Sequence, residues 1–186
     1  MATVATAGKL MTAQEFYLLP EDGIRRELVR GRITTMNVPA PRHGYYCALI
    51  ILLFGEFIRK HDLGRIMSND SGVVTEHDPD TVRGPDVCYY SFQRLPKGPI
   101  PEGYLDIAPD AAWEVRSPTD NWIKTNEKVN DLLNAGVSVV CVHDPRTESI
   151  TIVTSDGPPR VLYKGDTLSL PAIFPGLELP VTRFFE

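Results

Sequence analysis

Hydrophobic and polar residues alternate along the chain in short blocks, and most of these blocks have the length of a β-strand. Five such segments are separated by Gly, Pro and Asp, at 64–77, 85–91, 110–115, 137–143 and 149–155. The segment VSVVCVH is apolar almost throughout, which is typical of a strand buried on both faces of a sheet. The pattern therefore predicts a β-rich core with an interior strand.

Other segments have the periodicity of helices. Thr12 and Glu15 in TAQE form a capping-box pattern, which predicts a short helix near the start of the chain. A longer helix is predicted over about 43–60, with apolar residues at helical spacing: Leu49, Leu52, Leu53 and Phe57. The segment NWIKTNEKVNDLLNA predicts a third helix that ends at Gly136, a natural residue for the position after a helix.

The order of these elements indicates the fold class. A strand–helix–strand unit spans 111–143 inside a β-rich chain, which predicts an α/β or α+β protein with a mixed sheet. The segment RRELVRGRITTM predicts two short strands that pivot on Gly31, or one bent strand. With 186 residues, the chain suits one domain at 11–186, preceded by a flexible tail at 1–10.

Composition and charge narrow the function classes. No apolar run reaches the roughly 18 residues that span a bilayer, and the first residues lack the pattern of a secretory signal. We therefore expect a cytoplasmic protein without a membrane segment. The net charge of −5 argues mildly against a protein that coats nucleic acid, although a local basic patch can still bind a phosphate backbone.

The three cysteines, Cys47, Cys88 and Cys141, are widely spaced and each lies in an apolar stretch. Their odd number and the absence of a CxxC pair argue against disulfide and zinc frameworks. They are interpreted as buried, reduced thiols of a cytoplasmic protein.

Two carboxylates stand out because of the strands that carry them. Glu114 lies inside the apolar strand AAWEV, where a charge needs a partner or a metal ion. Asp86 follows Pro85 at the start of another short strand, although Asp after Pro is also common in turns. Two carboxylates on adjacent strand ends can hold a hard divalent cation, because Mg²⁺ prefers oxygen ligands.

A cation is expected near these acids. Arg116 lies two residues after Glu114, but arginine stays protonated, so it can stabilise charge and cannot easily act as a base. Lys128 borders the apolar stripe of the following helix, from which it can reach Glu114. In the alternative interpretation, Lys128 is solvated and pairs with Asp131 or Glu127.

A further acid, Glu27, lies on the predicted strand RRELVRGRI. By strand alternation Glu27 shares a face with Val29 and Ile33, whereas arginines occupy the opposite face. Glu27 either pairs with a neighbouring arginine on an edge strand or points into a cleft.

The order of several segments resembles the Uma2 family, a group assigned to restriction endonucleases of the PD-(D/E)XK nuclease superfamily. These segments are MTAQEFYLLPEDG, RRELVRGRI, PAPRHG, RGPDVCYY, GYLDIAPDAAWEVRSPTD, EKVNDLLNAGVSVVCVHDPRTESITIV and IFPGLELPV. The resemblance implies a restriction-endonuclease-like α/β fold: a mixed β-sheet core flanked by helices, with extra β-hairpins. It also implies catalytic residues, namely Glu27, Asp86, Glu114 and Lys128, with His43 and Arg116 in support.

The activity implied by this resemblance is metal-dependent hydrolysis of DNA phosphodiester bonds. Asp86 and Glu114 would hold Mg²⁺ or Mn²⁺, and Lys128 would position the attacking water or stabilise the phosphate. Glu27 would complete a second metal site or orient the lysine. His43 would contact phosphate or hydrogen-bond Glu27, or simply cap its helix.

Departures from the family pattern affect the surroundings of the site. Leu132 stands where relatives often have an aromatic residue, Cys141 where they have tryptophan, and Arg116 where they have an apolar residue.

A homodimer is expected by analogy, because cutting two strands favours paired sites. Two alternatives remain: a catalytically inactive module that binds nucleic acid or protein, and a metal hydrolase with another substrate.

Overall fold

The computed structural model describes residues 9–118 and 121–186. Residues 1–8 of the predicted tail lie outside the described residues. Of the remaining tail residues, Lys9 forms an ion pair with Glu15. Met11, the first residue of the predicted domain, donates its amide to the carbonyl of Gly31 at 2.9 Å.

The described residues form four helices and twelve strands. The helices are α1 (Ala13–Tyr17), α2 (Pro41–Lys60), α3 (Trp122–Asn134) and a terminal 3₁₀ helix (Val181–Phe184). The strands are β1 (Arg26–Val29), β2 (Arg32–Thr35), β3 (Gly64–Ser68), β4 (Val73–Glu76), β5 (Thr81–Arg83), β6 (Val87–Ser91), β7 (Ala111–Val115), β8 (Val139–Asp144), β9 (Ser149–Val153), β10 (Arg160–Leu162), β11 (Thr167–Ser169) and β12 (Glu178–Pro180).

The largest sheet is mixed. Its six strands have the order β10-β9-β8-β7-β6-β3, in which β7 and β8 are parallel and the other pairs are antiparallel. Helix α3 connects the two parallel strands, as such a crossover requires. A four-stranded sheet (β2-β1-β5-β4) and the pair β11-β12 complete the fold. The predicted mixed β-sheet core with flanking helices and extra hairpins is confirmed.

Local sequence chemistry explains two of the elements. Thr12 and Glu15 form the predicted capping box of α1, each bonding the backbone amide of the other. The segment around Gly31 forms two strands and not one bent strand, because Arg30 and Gly31 both take a positive φ (48° and 70°) between β1 and β2.

The buried face of α2 differs from the predicted stripe. Leu52 is 68% exposed, and the face in the core consists of Tyr46, Ile50, Phe54 and Ile58. The helix carries apolar residues on most of its circumference, so spacing alone does not select the face that packs. The face that packs against the sheet is the one that carries Phe54, whose ring centroid lies 4.7 Å from that of Trp113 in the central strand β7.

The two faces of the six-stranded sheet support different helices. Trp113 and Val115 of β7 pack in the core beneath α2, whereas Ala112 packs with Val129 and Leu132 of α3. Side chains alternate along a strand, so Glu114 lies on the α3 face. This alternation sets the position of the site.

All three cysteines lie in the described part of the chain, and none forms a disulfide. Cys88 and Cys141 are buried as predicted, but Cys47 is only half-buried, because it lies on the flank of α2. Among the described residues, no helix is long and apolar enough to cross a membrane.

Candidate active site

Glu114 and Lys128 meet between the central sheet and α3. The Lys128 ammonium lies 3.0 Å from Glu114 Oε2 and 3.1 Å from Glu27 Oε1, and it donates to the carbonyl of Gly84 at 2.7 Å. Lys128 reaches this point because α3 presents it beside the buried residues Val129 and Leu132. The solvated alternative for Lys128 is therefore wrong.

Glu27 is held from several directions. It is 4% exposed; its Oε2 accepts from Arg83 at 2.8 Å and its Oε1 accepts from the amide of Gly84 at 3.0 Å. Arg83 also donates to Asp131 of α3 at 2.6 Å. Glu27 pairs with an arginine, as one interpretation predicted, and also contacts Lys128. The edge strand of that interpretation is wrong, because β1 lies between β2 and β5.

Asp86 lies just before β6, at the end of the sheet that carries Glu114. It is 8% exposed, and its Oδ2 accepts from the backbone amide of Val115 at 2.7 Å. Nε2 of His43, in the first turn of α2, lies 3.2 Å from the same oxygen. The Asp86 carboxylate is therefore fixed both by the neighbouring strand and by α2.

Opposite charges around Lys128 set its pKa and that of Glu27. Burial alone would lower the pKa of Lys128, but the nearby carboxylates of Glu114, Glu27 and Asp86 raise it above its ordinary value. Burial would likewise raise the pKa of Glu27, but the charges of Lys128 and Arg83 hold it below its usual range. Lys128 is therefore cationic and Glu27 anionic at neutral pH.

Asp86 and Glu114 respond differently to burial. The hydrogen bond from His43 and the charge of Lys128 outweigh burial and keep the pKa of Asp86 low. For Glu114, burial dominates and the charges of Asp86 and Glu27 add to it, so its pKa rises to about 8 despite Lys128. A carboxyl group with this pKa holds a proton at neutral pH until a cation replaces that proton.

The residues present fit a hard divalent cation. Glu114 Oε1 is buried and accepts no hydrogen bond from the described residues, and a buried oxygen in this condition is unfavourable. Asp86 lies against the strand that carries Glu114, because its Oδ2 accepts from the amide of the next residue, Val115, at 2.7 Å. Oxygen donors of this kind suit Mg²⁺ or Mn²⁺. Asp86 and Glu114 are thus the candidate ligands, with Lys128 and Glu27 beside them.

Two predicted supporting residues have other partners than expected. His43 contacts Asp86 and Cys47, and not Glu27. Arg116 forms an ion pair with Asp144 at the end of β8, and its guanidinium lies 4.0 Å from the centroid of the Trp122 ring. The structure therefore brings together Glu27, Asp86, Glu114 and Lys128, with His43 beside Asp86, while a separate carboxylate binds Arg116.

Two members of the site were missed by the sequence analysis. Arg83 belongs to β5, a strand of three residues next to a turn, and only the pairing of β5 with β1 brings it to Glu27. Cys47 lies 3.6 Å from Nδ1 of His43. The spacing of four residues on one helix would have indicated that His43 and Cys47 are neighbours.

The mixed sheet flanked by helices has the restriction-endonuclease-like fold, and the acidic cluster with Lys128 lies at the ends of its strands. The family model described as "Uma2: Putative restriction endonuclease" matches residues 13–182, so the chain belongs to the Uma2 family. Family membership and fold place the chain among nucleases.

A solved structure supports the fold. It is described as "Crystal structure of a putative nuclease belonging to DUF820 from Anabaena variabilis ATCC 29413". The TM-score is 0.83 at 21% identity, and the match covers 94% of this chain and 97% of the other. No curated protein matches the chain.

Proposed function

We propose that this protein is a metal-dependent endodeoxyribonuclease that hydrolyses phosphodiester bonds at the Asp86–Glu114–Lys128 site. One observation carries the proposal: Lys128, whose side chain is 13% exposed, bridges Glu27 and Glu114, while an oxygen of Glu114 accepts no hydrogen bond from the described residues. An unmade buried hydrogen bond costs about 1–3 kcal/mol, and a cation bound to this oxygen would offset that cost.

Asp86 and Glu114 would hold Mg²⁺ or Mn²⁺. When bound, the cation supplies a Lewis acid that activates water and neutralises phosphate charge. Lys128 would stabilise negative charge on the phosphate through its own charge, because its three N–H donors already face Glu114, Glu27 and the carbonyl of Gly84. Glu27 and the carbonyl of Gly84 fix the ammonium group, so it needs no reorganisation during the reaction.

Arg83 and Val115 act on the site through their neighbours. Arg83 joins Glu27 to Asp131 of α3, which keeps β5 and α3 at the distance that Lys128 spans. The amide of Val115 aligns Asp86 with the strand that carries Glu114. We therefore treat Arg83 and the Val115 backbone as positioning groups.

Cleavage of both DNA strands would use two copies of the chain. The outer face of α2 (Tyr45, Leu49, Leu52, Glu56 and Arg59) borders a groove of about 800 Å³, which Arg183 and Glu186 close on the other side. This surface combines exposed apolar side chains with both signs of charge. It can therefore complement itself across a two-fold axis, as a homodimer interface requires.

The dimer is tested by sedimentation with Leu52→Lys, which places a charge at the centre of the α2 outer face. We expect the wild-type chain to sediment as a dimer and this variant as a monomer. Leu18→Lys, at another exposed leucine (69% exposed), is the control and should remain dimeric. A monomeric wild-type chain would contradict the proposed surface.

The nuclease activity is tested by incubating plasmid DNA with the purified protein and Mg²⁺, Mn²⁺ or no metal. We expect metal-dependent cleavage that falls by at least about 10²-fold in Glu114→Gln and Lys128→Met, because each removes a group that acts in the transition state. Lys124→Met alters an exposed lysine one turn earlier on α3 and should cleave normally.

The remaining outcomes favour the alternatives. Intact plasmid with tight, salt-dependent and metal-independent DNA binding would indicate a catalytically inactive binding module. Metal-dependent hydrolysis of another phosphodiester, without DNA binding, would indicate a hydrolase with a different substrate.

The three unpaired cysteines support action in the reducing cytoplasm.

A further inference from the structure

A second cluster of metal-ligating side chains lies on the α2 side of Asp86. The ligand atoms of His43, Cys47 and Asp86 all lie within 4.8 Å of one another. Nitrogen, sulfur and oxygen donors are combined here, whereas the Glu114 side of Asp86 offers oxygen donors only. This difference in donors separates the two positions chemically, since sulfur ligands select thiophilic cations and carboxylates suit hard ones.

His43 lies between the other two ligands, with Asp86 at its Nε2 and Cys47 at its Nδ1. One of these ring nitrogens would bind the ion, and the side chain at the other would turn toward it. His43 and Cys47 lie four residues apart on α2, so the helix carries them on one face, and the Cys47 sulfur lies 3.6 Å from His43 Nδ1. Asp86 is fixed by the amide of Val115 at 2.7 Å. The side chain of His43 is 15% exposed and Cys47 is half-buried, which leaves a route for an ion from solvent.

We propose that His43, Cys47 and Asp86 form a binding site for a thiophilic divalent cation of the Zn²⁺ class. Three protein ligands with one position left for water is a common zinc arrangement, and a Cys/His/Asp set belongs to the zinc ligand repertoire. The nuclease activity proposed above uses Asp86 together with Glu114 and does not require a cation at this second site.

Binding replaces protons and contacts that the cluster holds without metal. A cation binds a thiolate and a neutral imidazole nitrogen, so it would replace the contact between His43 and Asp86 at 3.2 Å. The affinity for Zn²⁺ rises with pH as a result, because fewer protons must be released.

The two cations would compete through Asp86. A Zn²⁺ ion on its His43 side withdraws electron density from the carboxylate and repels a second cation on its Glu114 side. We therefore expect Zn²⁺ to inhibit Mg²⁺-dependent cleavage. This consequence rests on the proposed function, whereas the existence of the site does not.

Titration with Co²⁺ tests the site directly, because a Co²⁺–thiolate bond produces a near-ultraviolet charge-transfer absorption. We expect the band to saturate at one Co²⁺ per chain and to disappear when Zn²⁺ is added. Cys47→Ser and His43→Asn, each checked for folding by circular dichroism, should lose the band. Cys88→Ser and Cys141→Ser alter the other two thiols and should keep it.

The results separate the site from the nuclease activity. A band that persists in both Cys47→Ser and His43→Asn, or a wild-type chain without a band, would overturn the site. A normal band in a protein that cleaves no DNA would leave the site standing and reject the proposed function. If both exist, Zn²⁺ should inhibit the wild-type enzyme and affect Cys47→Ser at least about 10-fold less.

Discussion

Removal of the buried cation at Lys128 should destabilise the metal-free protein. In Lys128→Met the side chain stays unbranched and loses its charge, so Glu27 loses one of its two cations and Glu114 loses its ion pair with Lys128. The carbonyl of Gly84 also loses its hydrogen bond from the ammonium at 2.7 Å. The acids of the cluster then repel one another in a buried environment.

The expected loss in the free energy of unfolding follows from these contacts. Breaking a buried ion pair by removing one partner costs about 3–5 kcal/mol. Glu114 already favours the protonated form, with a pKa of about 8, so it can avoid part of the repulsion by staying neutral. We therefore expect a loss near the lower end, about 3 kcal/mol, which lowers Tm by about 6–12 °C in a domain of this size.

Thermal and urea unfolding at neutral pH in the presence of a chelator measure this loss. Lys124→Met should change the free energy of unfolding by less than about 0.5 kcal/mol, because Lys124 is exposed. The double variant Lys128→Met/Glu114→Gln should recover at least about 1 kcal/mol, since it removes one of the unpaired acids. A Tm for Lys128→Met within about 2 °C of that of Lys124→Met would refute the reasoning.

Further predictions concern other parts of the fold. Burial lowers the pKa of His143 to about 3, below the ordinary 6.5. Between pH 6.5 and 3 only the unfolded chain gains a proton at this histidine. Acidification from pH 7 to 5 should therefore lower the free energy of unfolding by about 2 kcal/mol more in the wild-type chain than in His143→Leu, as measured by urea titration. Gly64→Ala should destabilise by about 2–3 kcal/mol in the same assay, because its Cβ would lie 2.1 Å from the carbonyl oxygen of Tyr90. Gly44→Ala is its control, since nothing lies within 4 Å of a Cβ there, and α2 should gain about 0.5–1 kcal/mol.

Several features of the fold could be predicted because they depend on local sequence. The capping box of α1 uses two side chains three residues apart, and the end of α3 uses Gly136 with a φ of 101°. The position of Lys128 at the margin of an apolar stripe allowed an approach to Glu114, but spacing alone left a solvated lysine as an alternative. Helical spacing fixed the face of α3, because this helix is polar on its opposite side.

Other features depend on contacts between distant segments. Helix α2 is apolar on most of its surface, so its core face depends on Trp113 and Phe174, which pack against Phe54. Arg83 lies in a strand of three residues, and only sheet pairing brings it to Glu27. The partner of Arg116 is Asp144, the last residue of β8, which is adjacent through the parallel pairing of β7 and β8.

The central claim of this account is that Asp86 and Glu114 share one hard divalent cation. Titration with Mn²⁺, followed by electron paramagnetic resonance of the free ion, tests this claim most directly. The account predicts one bound Mn²⁺ in the wild-type chain and in Cys47→Ser, and loss of this binding in Asp86→Asn and Glu114→Gln. Binding that survives unchanged in Glu114→Gln, in a variant that is folded, would contradict it.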